Sequence, residues 1–507
     1  MVDTSRIAKN TLFLYFRQML IMGVGLYTVR VVLNVLGAED YGIYNVVAGT
    51  VTMLGFLSGA MASASQRYFA YDIGKNDMEH LKTSFSVMLQ IYLLLSLVII
   101  LLAETAGLWL VNRRLVIPPV RMAAANWVFQ CAVLSFTLTL ITAPYMASII
   151  AHERMGVYAY VSIMEALLKL GAVLLLRALS CDKLVLYGVL LCAVSAVNTA
   201  LYRAYCRRNF PECRLRPIKD RELFREMAGY GGWNLFGSGA WVIKNQGCTI
   251  LLNLFMGVAV NAAQGIATSV KSAVQHFSSN FIQAAKPQIV KSYAAADYDG
   301  LWNIVFFGCK CAYFLLIVTV IPLYGNAEYV LLLWIKNIPD FTADFVRLVL
   351  IEILIQAPGE VLATVNQATG KIALYQFLVG LVTFMNLPVS YVFLRLGFSP
   401  ECVYAIAIVS TLCMTMIRML FLLRVQGFSL ADMMLKVILR LILTAMILFP
   451  MAHFVSLANG TFLSFAADAL LKILVSCAVI LLVGFSTAEQ ARLLNAIRQF
   501  FRKGRRW

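Results

Sequence analysis

Fourteen apolar runs of about 20 residues, parted by short polar loops, decide what this chain can become. They lie at about 11–33, 43–64, 83–103, 122–148, 156–177, 184–203, 231–256, 262–284, 300–322, 345–366, 372–393, 402–423, 437–457 and 465–485. Each is long enough to cross the hydrocarbon of a bilayer as a helix, the form that satisfies its own backbone there. Only 13% of the 507 residues are charged, and mean hydropathy is +0.80. A soluble domain carries roughly 25% charged residues. The expected fold class is an all-α polytopic membrane protein. The run 262–284, rich in Ser, Gln and Ala, is the most polar and reads as a helix facing water.

The net charge of +17 would suit a nucleic-acid binder, but the basic residues fall in short loops between the runs. No nucleic-acid partner is expected. The densest cluster is RAYCRRNFPECRLRPIKDRELFR, from Arg203 to Arg225, with eight Arg or Lys. With the N-terminus cytoplasmic, this loop, the tail and most other basic loops lie inside, an asymmetry of roughly fourfold over the outside loops. Both termini are therefore expected to be cytoplasmic. The expected organisation is an N-lobe at 1–203, a basic loop at 204–230, a C-lobe at 231–424, two further helices at 425–485 and a basic amphipathic tail at 486–507. The tail opens on capping-box pairs, Ser486 with Glu489 and Thr487 with Gln490. Its apolar residues at helical spacing suit the anionic inner leaflet. No cleavage site follows the first run, which is expected to stay as an anchor. The outside loops are too short to form a domain, so no soluble catalytic domain is expected.

The two lobes echo each other. Ile141-Thr142-Ala143-Pro144 with Gly156 parallels Ile355-Gln356-Ala357-Pro358 with Gly370. Leu33-Asn34 parallels Leu252-Asn253, and Gly37 and Asp77 match Gly257 and Asp297 at one offset. Six runs per copy is an even number, so the copies run in the same direction across the membrane.

Fourteen runs, the basic middle loop, the early segment LGAEDYGIYNVV (Leu36 to Val47) and Gln66-Arg67-Tyr68-Phe69 resemble the multidrug/oligosaccharidyl-lipid/polysaccharide (MOP) exporter superfamily. Within it the chain resembles Wzx-type flippases of bacterial polysaccharide synthesis. The resemblance implies two lobes around a central cavity lined by helices one, two, seven and eight. It implies movement of a polyprenyl-pyrophosphate-linked oligosaccharide across the bacterial inner membrane by alternating access. Partners implied are that lipid-linked oligosaccharide, membrane lipids, and polysaccharide polymerases and glycosyltransferases.

Charge inside a span is costly and marks candidate function. The candidates are Arg17 and Arg30 in run one, Arg67 closing run two, Lys244 in run seven, and Lys271 and His276 in run eight. A pyrophosphate calls for point charge and forked donors, which Lys and Arg supply. Arg17 and Arg30 are also near enough to span ends to snorkel, and Arg67 also reads as loop charge. Lys244 and Lys271 lie too deep for that. Glu165–Lys169 and Asp468–Lys472 are four apart and read as self-neutralising structural pairs. Glu352 and Glu360 are candidates for ion coupling, and Glu352 also has Arg347 or Lys336 as neighbours to pair with. Asp297-Tyr298-Asp299 has the form of a DxD metal motif but sits in a short loop. His152-Glu153 is not followed by the second His of a zinc site. No P-loop is present, and no cofactor or enzymatic activity is expected. The 11 Cys, including Cys309 and Cys311, read as small core residues. The competing reading is a MATE-like ion-coupled multidrug antiporter, which would need an acid in its cavity. Run one holds no acid.

Overall fold

The computed structural model describes residues 4–52, 54–113, 115, 117–177, 182–214, 220–335, 338–454, 461–486 and 489–490. The described residues are almost wholly helical, with no strand. The tail after Gln490 and Thr487 lie outside them, as does Lys336. The helices are α1 (Thr4–Thr52), α2 (Gly55–Gly74), α3 (Met78–Leu102), α4 (Leu108–Arg113), α5 (Met122–Ala151), α6 (Met155–Leu175), α7 (Lys183–Asn209), α8 (Arg221–Met256) and α9 (Val258–Ala294). They continue as α10 (Tyr298–Gly325), α11 (Ala327–Ile335), α12 (Thr342–Ala368), α13 (Ala373–Arg395), α14 (Cys402–Leu422), α15 (Leu430–Met433), α16 (Leu439–Phe454) and α17 (Phe462–Val479).

Among the described residues ten helices are long and apolar enough to cross a membrane, or eleven if a bent pair ending in α2 counts as one. The chain is thus a multi-pass membrane protein. The expected count of fourteen is met only in part. The runs at 11–33, 231–256 and 262–284 are helical, in α1, α8 and α9, but fall outside that set. The reason in α8 and α9 is polarity: Lys244, Asn245 and Gln246 interrupt one, and Lys271, Gln275 and His276 the other.

The chain forms two compact units, Asn10–Ser238 and Gly239–Trp507 with Met1–Lys9. The division falls inside α8. In the first unit α5 is the hub, packing on α7, α2 and α3. In its core Phe85 meets Tyr145 edge to face and packs at a tilt against Phe69. In the second unit α12 is the hub, against α9, α14 and α10, and α10 also packs on α17.

The two units repeat a turn. Asp77 accepts the N–H of His80 at 3.0 Å and caps α3, and Asp297 accepts that of Gly300 at 3.0 Å and caps α10. The residue before each cap, Asn76 or Ala296, has φ 56. Asp297 of the DxD sequence is therefore a helix cap. Gly37 (φ 79, ψ 168) and Gly257 (φ 83, ψ −174) adopt the same conformation, which is open only to glycine. The Pro–Gly echo divides differently. Pro144 and Pro358 both lie inside helices, α5 and α12, but Gly156 is helical in α6 while Gly370 turns the chain at φ 78. In the first unit Glu153, at φ 60, takes the turning role. Gly257→Ala is expected to destabilise the protein by about 1–3 kcal/mol through backbone strain alone, because nothing lies within 4 Å of the added methyl. Thermal unfolding in detergent measures this, and an unchanged midpoint would mean the turn tolerates a side chain.

The i,i+4 pairs are structural. Lys169 bonds Glu165 at 2.6 Å, and Asn198 adds a second donor to that carboxylate at 2.9 Å. Lys472 lies 2.8 Å from Asp468, both side chains fully buried, and Asn326 donates to Asp468 at 2.6 Å. Cys309 is buried in the core of the second unit.

Candidate functional site

The densest intramembrane charge cluster is in the second unit. On α12, Glu352, Gln356 and Glu360 follow at four-residue steps, which puts them along one face. On α9, Lys271 and Gln275 do the same. Lys271 Nζ donates to Glu352 Oε2 at 2.6 Å, and Gln275 Nε2 donates to Glu360 Oε1 at 3.3 Å. The two helices therefore run side by side in one direction, joined by a polar ladder. Gln356 Nε2 donates to the same Glu360 oxygen at 2.7 Å. From α8, Lys244 Nζ reaches Glu352 Oε1 at 3.4 Å. One turn along α8, Cys248 contacts Asn386 Oδ1 at 3.4 Å, and Asn386 donates to Ser410 at 3.3 Å.

Glu352 is 5% exposed and Lys244 8% exposed. Two ammonium groups on one carboxylate leave a surplus of one positive charge. A lone buried carboxylate would be prohibitively costly, and so would either lysine. The triad resolves this by sharing. It also corrects the expectation that Glu352 pairs with Arg347, while Lys336, the other expected neighbour, lies outside the described residues. Arg347 is five residues away on α12, a spacing that places it on another face. It pairs with Glu328 at 3.0 Å and Asp344 at 3.3 Å instead.

Glu360 is held differently. Its two side-chain donors are carboxamides, and the cations that act on it through space are Arg418 of α14 and Lys271. The close approach of Arg418 depends on Gly359, where an added methyl would sit 2.7 Å from its guanidinium. His276 has an exposed side chain with no hydrogen bond or ion pair among the described residues. It is one residue past Gln275, which turns it off the ladder face.

The first-unit candidates are buried among aromatics. Arg17 is 8% exposed, and its guanidinium lies 4.6 Å from the Tyr158 ring centroid. Arg67 sits 4.5, 4.9 and 5.5 Å from the centroids of Tyr68, Tyr71 and Tyr230. Such rings stabilise a cation without neutralising it. Tyr68 donates to Glu226 at 3.0 Å and so ties α2 to the start of α8. The side chain of Arg30 lies outside the described residues.

Sequence reasoning passed over several intramembrane cations, among them Arg418 and Lys310. Lys310, buried on α10, pairs with Glu489. Glu489 in turn closes the capping box, its Oε2 accepting from Ser486 N and Oγ at 2.8 Å each. Burial raises the Glu489 carboxyl, but Lys310 and Ser486 outweigh it and hold it below the usual carboxylate range. The rule that marked Lys244, that charge within an apolar run is costly, applies equally to Lys310 and Arg418. Among the described residues no cluster of three or more His, Cys, Asp or Glu is placed to hold a metal.

A family model described as "Polysaccharide biosynthesis protein" matches residues 7–292, more than half of the chain. Among solved structures, an outward-facing multidrug resistance MATE family transporter of the MOP superfamily superposes with a TM-score of 0.68 at 13% identity. It covers 83% of this chain and 97% of that one. A MATE protein in the bent conformation gives 0.68 at 14% identity, with the same coverage. A MOP superfamily transporter from Pyrococcus furiosus, described by a reverse polarity of its binding pocket that suggests a different function, gives 0.68 at 13% identity, again over 83% and 97%. At this identity the likeness is one of fold, and the fold is that of MATE transporters. A search of curated proteins finds no match.

Proposed function

The chain belongs to the polysaccharide biosynthesis protein family, and from that premise we propose that it is a flippase for polyprenyl-pyrophosphate-linked oligosaccharides. In this reading it works in the bacterial inner membrane, with both termini cytoplasmic, by alternating access. The observation that carries the proposal is the Lys244–Glu352–Lys271 triad. Its surplus positive charge suits a pyrophosphate, and the one acid it contains is already engaged. An anionic head group offers each ammonium the charge-assisted hydrogen bonds that Glu352 gives it now. Arg17 and Arg67, whose guanidinium groups lie over aromatic rings, are further cations that suit an anionic substrate. Glu352 and Glu360 remain the candidates for ion coupling. The family's synthesis of surface polysaccharide makes glycosyltransferases and a polymerase the expected partners.

A second reading, an ion-coupled drug antiporter, is favoured by Glu360 alone. Its donors are amides, which leaves a carboxylate without a direct ion pair among the described residues. The discriminating experiment uses proteoliposomes loaded on one side with a polyprenyl-pyrophosphate oligosaccharide or with an organic cation. Movement of the lipid-linked sugar, with no gradient-driven cation efflux, is expected. Cation efflux without lipid movement would replace the flippase reading with the antiporter.

A further inference from the structure

One groove in the first unit has no part in the chemistry above. It is about 400 Å³ in volume and lies along α7 against α5, lined by Leu138, Ala196, Thr199, Ala200, Arg203 and Arg207, with Ala204 beside them. That volume is in the range of small-molecule sites. On α7 these residues fall at steps of three and four, so they occupy a single helix face. The face is graded along its length. Its first part is alanine, which leaves a trough where larger side chains would stand. Its last part is arginine, at the basic end of the helix.

The trough is apolar in effect. The one hydroxyl on its wall, Thr199 Oγ1, donates to Ser195 O at 2.8 Å and accepts from Thr142 Oγ1 at 2.8 Å, so it asks nothing of a ligand. The arginines are the reverse. Both are exposed, and neither makes an ion pair among the described residues. The nearby acid Glu212 is taken by His152 at 2.6 Å. Two guanidinium forks one turn apart, at the mouth of an alkyl-lined trough, complement one phosphate and one hydrocarbon chain.

We propose that this groove binds an anionic glycerophospholipid, one acyl chain lying along Ala196, Ala200 and Leu138 and the phosphate bridging Arg203 and Arg207. The charge and the shape select the same ligand. A neutral helix partner would fill the trough but leave both arginines unpaired, whereas a soluble anion would leave the trough empty. Arginine at the membrane surface attracts anionic lipid in any case, and the trough adds the fixed geometry. The site stands whether or not the chain is a flippase.

The test is photolabelling of the full chain in nanodiscs with phosphatidylglycerol carrying a diazirine in one acyl chain. Labelled peptides are expected from 196–207 and around Leu138, about tenfold enriched over the same experiment with labelled phosphatidylcholine. The double variant Arg203→Gln/Arg207→Gln is expected to reduce that labelling about tenfold. Ala200→Leu, which fills the trough without altering charge, is expected to do the same. Equal labelling by both lipids would overturn the proposal. So would adducts on other helices, undiminished labelling of the Ala200→Leu protein, or protection of the face by a second copy of the chain, read as a dimer mass.

Discussion

Replacing Lys271 with Ala is expected to stop lipid-linked oligosaccharide transport, at least tenfold below wild type, while the protein still inserts and folds. The reason is the asymmetry of the triad. Lys271 makes the short contact to Glu352, 2.6 Å against 3.4 Å for Lys244. Removing it leaves Glu352 still paired with Lys244, so no buried charge is stranded. A phosphate contact about 4 Å away at an effective dielectric of 20 is worth roughly 4 kcal/mol before desolvation, and part of that suffices for a tenfold effect. Lys271→Arg, which keeps the charge, should retain more activity. Glu352→Ala strands two ammonium groups at once and is expected to cost about 3–5 kcal/mol of stability. Glu360→Gln should matter least, because the amide donors of Gln275 and Gln356 can bond the carboxamide oxygen of a glutamine in its place. The measurements are vesicle transport and thermal unfolding of each variant. If Lys271→Ala destabilised as strongly as Glu352→Ala and Lys271→Arg rescued nothing, the triad would be a fold element and not a binding site. If Glu360→Gln alone stopped transport, the acid rather than the bases would carry the function.

How much of this was legible in the sequence depended on distance along the chain. Glu165–Lys169 and Asp468–Lys472 could be read because helical periodicity fixes which residues share a face. The Ser486–Glu489 box could be read from its spacing, whereas Asp77 and Asp297 were read only as matching positions of the repeat, and the structure shows both as helix caps. The partner of Glu489 could not, since Lys310 is 179 residues away and no local rule connects them. Glu352 is the clearest case. Its neighbours in sequence suggested Arg347, but the packing of α8 and α9 on α12 delivers two lysines from 81 and 108 residues away. Lys244 and Lys271 were expected together, as cations of one cavity, but that both would bond the same acid was not predictable. The Pro–Gly echo failed where the second copy's turn uses glycine and the first uses Glu153. Residue identity there reflects a need for positive φ, which two different residues meet.

Asp468→Ala is expected to be the most damaging substitution outside the triad, at about 3–5 kcal/mol, because it removes the counter-ion of a lysine with no access to solvent. Lys472 has little room to withdraw. Its ammonium already lies so close to Gly325 that a methyl added there would be 2.7 Å away, against Ala452 O as well. Asn326 would lose its acceptor at the same time. The comparison that isolates the cause is the double variant Asp468→Ala/Lys472→Met. With both charges gone, the remaining cost is a cavity and the lost polar contacts of Asp468, the Asn326 amide among them, and stability should return to within about 1–2 kcal/mol of wild type or exceed it. Thermal unfolding in detergent reads all three proteins. Single and double variants with the same loss would mean that packing at this position, not stranded charge, sets the cost. Transport by the double variant is expected to match wild type, since a self-neutralised pair presents no net charge to a substrate. That outcome would separate the two kinds of intramembrane lysine in this chain: Lys472, neutralised by one acid on its own helix, and Lys244 with Lys271, which share one acid between two helices and keep charge to spare.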